Sequence, residues 1–92
     1  MQSLEGTNPK TLRGAVRVVN IKLTRNDCKT IKEGIKCGVG AIAYNHTLGT
    51  EIRNAWLWGD SALVKYMRKV EKIKHPDDMS NKILEDVLRL FK

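Results

Sequence analysis

Two cysteines and two histidines are the side chains of this chain best suited to metal or thiol chemistry. They are Cys28, Cys37, His46 and His75, which follow one another at gaps of 9, 9 and 29 residues. Structural zinc sites usually pair their ligands about two to five residues apart, as in CxxC. The spacing therefore does not favour zinc, and we expect neither a metal nor another cofactor.

The two cysteines are also poorly placed to bond to each other. On a helix, nine residues at about 100° each put the sulfurs of Cys28 and Cys37 on opposite faces. The chain start, Met1 to Glu5, lacks the basic region and apolar stretch of a secretory signal. We therefore expect two free thiols in an intracellular protein, either cytoplasmic or nuclear.

Neither catalysis nor membrane insertion has a supporting pattern in the sequence. No histidine lies at a spacing from Ser, Cys or Asp that is typical of an activated nucleophile. Most carboxylates fall where helix capping or the helix dipole explains them. No apolar run approaches the roughly 18 residues of a membrane span. We expect a protein that acts by binding, without enzymatic activity, a small-molecule substrate or a membrane span.

Net charge points to a polyanionic partner. The 92 residues carry 17 Lys and Arg against 10 Asp and Glu, which gives a formal net charge of +7. Apolar residues make up 41% and charged residues 29%, as is typical of a folded domain. The basic excess is uneven, because residues 60–76 carry +3 whereas residues 77–92 carry −1. An uneven basic surface is the electrostatic footprint of nucleic-acid phosphate binding.

A basic helix face is the leading candidate for that contact. The spacing predicts a helix over 61–74 with apolar residues on one side and cations on the other. The candidate contacts are Lys65, Arg68, Lys69, Lys72 and Lys74, with Lys10, Arg13 and Arg17 on the first helix and Trp58 for stacking or partner contact. We expect a small regulatory protein, of a virus or mobile element given its compactness, that binds DNA or RNA backbones.

A protein-interaction module is the alternative function. Val18 and Ile21 fall off the main apolar stripe of the first helix. The last helix is apolar over about half its circumference and ends the chain, so it too could offer surface to another subunit. A homodimer or a helical adaptor would cover such surfaces and leave the basic face in water.

Helical periodicity runs through the first half of the chain. Asn8 and Pro9 predict an N-cap and first helical position, and an apolar stripe follows to Leu23. Alternating β-branched residues over 15–23 also permit a strand. A second stripe covers 28–43, with a bend or an end near its glycines, each of which costs about 1 kcal/mol in a helix.

The second half of the chain predicts shorter helices with clear boundaries. A third helix starts near Thr50 and turns Ile52 and Trp56 inward, and Gly59 suits a left-handed position after its end. The 61–74 helix follows, with Asp60 or Ser61 as its cap. The caps offered for the last helix are Asp77, Asp78 and Ser80. The prediction is one all-α domain over 1–92, with four or five short helices and a loose lead-in at 1–8; an α+β fold with one strand at 15–23 is the alternative.

Overall fold

The computed structural model describes residues 1–91, and within that range the fold is entirely helical. The elements are α1 (Leu12–Lys22), α2 (Arg25–Lys36), a short 3-10 helix (Ala41–Tyr44), α3 (Leu48–Trp56), α4 (Ala62–Lys69) and α5 (Pro76–Arg89). The all-α prediction is confirmed, and the alternative of a strand over 15–23 is wrong because α1 occupies that segment. Among residues 1–91, no helix is both long enough and apolar enough to cross a bilayer.

Helix α5 lies at the centre of the hydrophobic core. It contacts α1, α3, α4 and the 3-10 helix. Six of its residues are buried: Met79, Ser80, Ile83, Leu84, Val87 and Leu88. Helix α2 contributes least to the core, because Ile31 is the one buried residue among its twelve. Most of the α2 surface is therefore available to solvent or to a partner.

Helix α1 begins three residues later than the sequence predicts. Thr11 is its N-cap, and the Thr11 hydroxyl accepts a hydrogen bond from the Gly14 backbone N–H at 3.0 Å. Asn8 and Pro9 precede the helix, with Pro9 buried. The proposed cap at Asn8 is wrong because Thr11 already satisfies a free N–H of the first turn.

The first eight residues, predicted to be a loose lead-in, contact the rest of the domain through Gln2, Leu4 and Thr7. Leu4 is buried in the core. The Gln2 backbone N–H donates to the Lys22 carbonyl at 2.7 Å. The Trp56 indole N–H donates to the Thr7 hydroxyl at 3.2 Å. An apolar anchor and these polar contacts hold the segment across α1 and α3.

Helix α2 ends at a glycine, as the sequence pattern allowed. Gly38 has a φ of 81°. Its N–H donates to the Ile35 carbonyl, and the N–H of Val39 donates to the Gly34 carbonyl. These two bonds form a Schellman motif, which satisfies the last carbonyls of the helix. The apolar stripe does not continue to residue 43, and Ile42 is 75% exposed.

A tight turn joins α3 to α4. The Ser61 backbone N–H donates to the Trp58 carbonyl, and Gly59 adopts a φ of 55°, as predicted for a left-handed position. The hydroxyl of Ser61 accepts from the Val64 N–H and caps α4, one of the two predicted choices. Trp56 is buried at the end of α3, whereas Trp58 lies beyond the helix and is exposed.

Helix α4 is shorter than the predicted helix over 61–74. It ends at Lys69, with Val70 as its C-cap. Lys72 adopts a φ of 61°, which no right-handed helix accommodates. The chain reversal lets the Ile73 N–H donate to the Met67 carbonyl, and it leaves Val70 52% exposed rather than in the core.

The cap of α5 also differs from the prediction. The His75 Nδ1 atom accepts the Asp77 backbone N–H at 3.1 Å, and Pro76 takes the first helical position. Asp77, Asp78 and Ser80 lie inside the helix. The acidic pair still complements the helix dipole from within the first turn.

Candidate nucleic-acid interface

Three of the five cations predicted for the 61–74 helix lie on α4, and two lie beyond its end. Lys65, Arg68 and Lys69 are all exposed on this helix. Arg68 is engaged, because its guanidinium lies 3.6 Å from the Asp60 carboxylate. Lys72 and Lys74 are exposed but lie beyond the helix end, so the proposed single row through residue 72 is wrong.

Of the three cations predicted for the first helix, two lie on α1 and one precedes it. Arg13 and Arg17 are exposed on α1, one helical turn apart. Lys10 is exposed but precedes the helix, because α1 starts at Leu12. Helices α1 and α4 contact each other, so their two short basic faces belong to neighbouring elements.

A longer row of cations, absent from the predicted contacts, lies on α2. Its members are Arg25, Lys29, Lys32 and Lys36, hereafter the α2 row. All four are exposed. Their spacings of four, three and four residues keep them within about 60° of one another around the helix axis. At 1.5 Å of rise per residue the row is about 16 Å long.

The α2 row lacks carboxylate partners. Among residues 1–91, no salt bridge involves any of its four side chains. Glu33 is the nearest acid in sequence and lies on the flank of the row. A shallow groove beside the row is lined by Arg25, Cys28, Lys29, Lys32, Glu33 and Lys36. The groove is therefore strongly cationic.

Local interactions hold α2 in the geometry that aligns the row. The Thr24 hydroxyl accepts the Asp27 backbone N–H at 3.1 Å, and the Asp27 carboxylate accepts the Thr24 N–H at 2.9 Å. This reciprocal capping box satisfies two free donors at the start of the helix. The same carboxylate lies 2.6 Å from the amino group of Met1. Asp27 is thus a structural acid and does not face the row as a counterion.

The pKa of Asp27 follows from these contacts. Burial acts to raise the pKa of this carboxyl, but the hydrogen bonds from the Met1 ammonium and from Thr24 lower it by more. The net pKa is therefore below its usual value near 3.8. The ionised form, which the capping box requires, is favoured by the fold.

Arg53 is the centre of a second polar cluster that joins α3 to α5. Its Nη1 atom donates to Asn45 Oδ1 and to Ser80 Oγ, both at 2.8 Å. Its Nη2 atom donates to the Asn45 carbonyl at 3.0 Å and to Thr50 Oγ1 at 3.1 Å. Its Nε atom lies 3.4 Å from the Asp77 carboxylate. We call this group the Arg53 cluster.

The Arg53 cluster holds parts of the fold together. A guanidinium has five N–H donors, of which the four on Nη1 and Nη2 of Arg53 make hydrogen bonds and the one on Nε lies within an ion pair with Asp77. Both Nη groups of the side chain are therefore fully used within the protein. Ser80, the fully buried polar residue of α5, adds a bond to Asn45 Oδ1. The cluster locks the segment before α3 onto the start of α5.

Gly49 makes room for the Arg53 cluster. A Cβ atom at this position would lie 2.3 Å from Asn45 Oδ1 and 3.1 Å from Arg53 Nη1. Both atoms are fixed by hydrogen bonds, so neither can withdraw without loss. The glycine in the first turn of α3 is thus explained by packing rather than by flexibility.

The thiols and histidines do not assemble into a reactive site. Cys28 and Cys37 are both free, with Cys28 half-buried on α2 and Cys37 exposed at its end. Among residues 1–91, there is no group of three or more His, Cys, Asp and Glu side chains that could hold a metal ion.

Comparison with known proteins places the chain by family. Neither the curated proteins nor the solved structures include a match. Residues 8–90 match the family described as "Domain of unknown function (DUF6794)". The match spans all five α-helices, the α2 row and the Arg53 cluster. The chain therefore belongs to the DUF6794 family.

Proposed function

We propose that this protein binds nucleic acid by contacting backbone phosphates through the α2 row, without catalysing a reaction. The observation that carries the proposal is the alignment of four exposed cations on one helix face with no carboxylate partner among residues 1–91. The net charge of +7 adds a long-range attraction to polyanions.

The row carries an energetic cost that a polyanion would remove. Like charges four residues apart on a helix destabilise it by about 0.2–0.5 kcal/mol per pair. Arg25 and Lys29 form one such pair, and Lys32 and Lys36 form another. Phosphates beside the row would offset these repulsions with attractions. Their binding would also release the counterions condensed on the nucleic acid.

The geometry favours backbone contact over base reading. Lysine and arginine stems place their charges well outside the helix, and phosphates recur along a nucleic-acid strand in a line that the row can follow. Contacts of this kind give affinity and strong salt dependence but little sequence information. The shorter basic faces of α1 and α4, two helices that contact each other, are a second candidate surface for phosphate contacts.

Matched charge variants test the proposal. The double variant Lys29→Gln/Lys32→Gln removes two charges from the α2 row. The double variant Lys82→Gln/Arg89→Gln removes two charges from α5, where both side chains flank Asp86. Both variants have the same net charge, so they separate a localised row from a general electrostatic effect.

The readout is the dissociation constant for a short oligonucleotide as a function of salt, measured by fluorescence anisotropy. The α2 variant should bind more weakly and lose about 1.4–1.8 units of the log–log salt slope, at about 0.7–0.9 per phosphate contact. The α5 variant should retain the wild-type slope. Equal behaviour of the two variants, or no binding at low salt, would overturn the proposal. The second of these results, together with self-association, would favour the interaction module or homodimer instead.

A further inference from the structure

Trp58 is an exposed indole on a fixed turn. The side chain is 62% exposed, although Trp56 and Leu57 immediately before it are buried. Its indole N–H donates to the Ala55 carbonyl at 3.1 Å. The polar atom of the ring is therefore satisfied by the protein, and the exposed part is the aromatic surface.

The backbone around Trp58 is constrained on both sides. The Ser61 N–H closes the turn onto the Trp58 carbonyl, and the Ser61 hydroxyl donates to the Trp56 carbonyl. The same hydroxyl caps α4. Gly59 supplies the positive φ that the turn requires. An indole held in this way loses little conformational freedom when a flat ligand packs against it.

One cation of α4, Arg68, reaches the turn. The Arg68 guanidinium lies 3.6 Å from Asp60, which is two residues after Trp58. Lys65 lies between Asp60 and Arg68 in sequence and is exposed, as is Lys69. An aromatic surface beside cations is the combination that binds single-stranded nucleic acid, with bases on the ring and phosphates on the charges.

We propose that Trp58 stacks on an unpaired base, so that the ligand of this protein is a single-stranded nucleic acid. This inference rests on the proposed function and adds the class of nucleic acid. In a duplex, each base face is covered by its neighbours and is closed to an indole. The α2 row holds the phosphates of single strands and duplexes alike, whereas the Trp58 turn distinguishes the two.

The test compares two probes with the same number of phosphates: an oligothymidylate, and a hairpin duplex whose strands are joined by a non-nucleotide linker so that it has no unpaired loop bases. Trp58→Ala should weaken oligothymidylate binding by about tenfold, in the range that alanine substitution of a stacking aromatic produces. Hairpin binding should not change. Trp58→Phe, which keeps an aromatic face, should restore most of the single-strand affinity. Thermal unfolding checks that the variants fold, as expected for an exposed side chain.

Tryptophan fluorescence provides an independent readout. Oligothymidylate should quench the wild-type emission through Trp58, and Trp58→Phe should abolish the quenching because Trp56 is buried. Equal loss of hairpin and single-strand binding in Trp58→Ala, or no loss of either, would overturn the inference and leave the phosphate-binding proposal standing. Failure of the wild-type protein to bind either probe would overturn the proposed function, and this inference with it.

Discussion

Replacement of Arg53 by methionine would remove the polar link between α3 and α5 and should destabilise the fold. Methionine keeps much of the length of the side chain but removes all five donors. Four acceptors would each lose one hydrogen bond: the Asn45 carbonyl, Asn45 Oδ1, Thr50 Oγ1 and Ser80 Oγ. Hydrogen bonds to a charged group contribute about 1.5–3 kcal/mol each.

The expected total is smaller than the sum of these bonds. Arg53 is 20% exposed and Asp77 is 60% exposed, so water replaces part of what is lost. Ser80 and Asn45 also remain bonded to each other. We therefore expect a loss of about 3 kcal/mol in the free energy of unfolding, within the range for breaking a buried charged network. For a domain of this size that corresponds to a fall in Tm of roughly 15 °C.

Thermal and urea unfolding measure this loss, with two further variants as references. Arg53→Lys keeps the charge but not the planar fork of donors, so its stability should fall between those of Arg53→Met and the wild type. Arg68→Met removes an arginine from an exposed ion pair and should cost less than about 1 kcal/mol. If Arg53→Met were as stable as the wild type but lost oligonucleotide binding, Arg53 would be a ligand contact and its structural role would be refuted.

Three further predictions concern Asp60, Gly49 and Asp27. Asp60→Asn should strengthen oligonucleotide binding, because it releases Arg68 to contact phosphate; unchanged or weaker binding would place Arg68 outside the interface. Gly49→Ala should lower Tm, against the usual gain of about 1 kcal/mol for Gly→Ala in a helix, whereas Gly40→Ala, with open space around its Cβ, should not. Asp27→Asn should lower the stability at neutral pH. Because the folded-state pKa of Asp27 is lowered, the stabilisation is present above its usual value near 3.8 and is lost as the pH falls below it, so the two Tm–pH curves should converge in acid.

The sequence predicts those parts of the fold that local chemistry determines. Gly59 adopts the expected left-handed conformation, and Ser61 caps α4 as one of two predicted residues. The burial of Ile52 and Trp56 follows from their shared helical face. Each of these features depends on residues within one or two turns of each other, so a single sequence contains the information.

The ends of helices are harder to predict because they depend on unusual backbone conformations and caps. Lys72 adopts a left-handed φ, which few non-glycine residues do, and no residue type signals it. His75 caps α5 through a ring nitrogen, in place of the acidic residues that follow it. The shortened α4 and the loss of Lys72 from its face both follow from the conformation at one residue.

The α2 row and the Arg53 cluster were not predicted from the sequence, for different reasons. The spacing of Lys29, Lys32 and Lys36 is visible in the sequence, but Arg25 lies before the segment 28–43 that the sequence predicts as the second helix, so the full row of four was not predicted. The Arg53 cluster depends on contacts across 27 and 35 residues, from Arg53 to Ser80 and from Ser80 to Asn45. Contacts at such separations follow from the packing of α3 against α5 and leave no local pattern.

The most direct test of the phosphate-binding account is a nuclear magnetic resonance titration of the isotope-labelled protein with oligothymidylate. The account predicts that the largest amide shift changes fall on residues 25–36, that the Trp58 indole signal moves with them, and that both effects fade as salt is added. Shift changes confined to exposed apolar residues such as Ile21 and Ile42, or an unchanged spectrum at low salt, would contradict it.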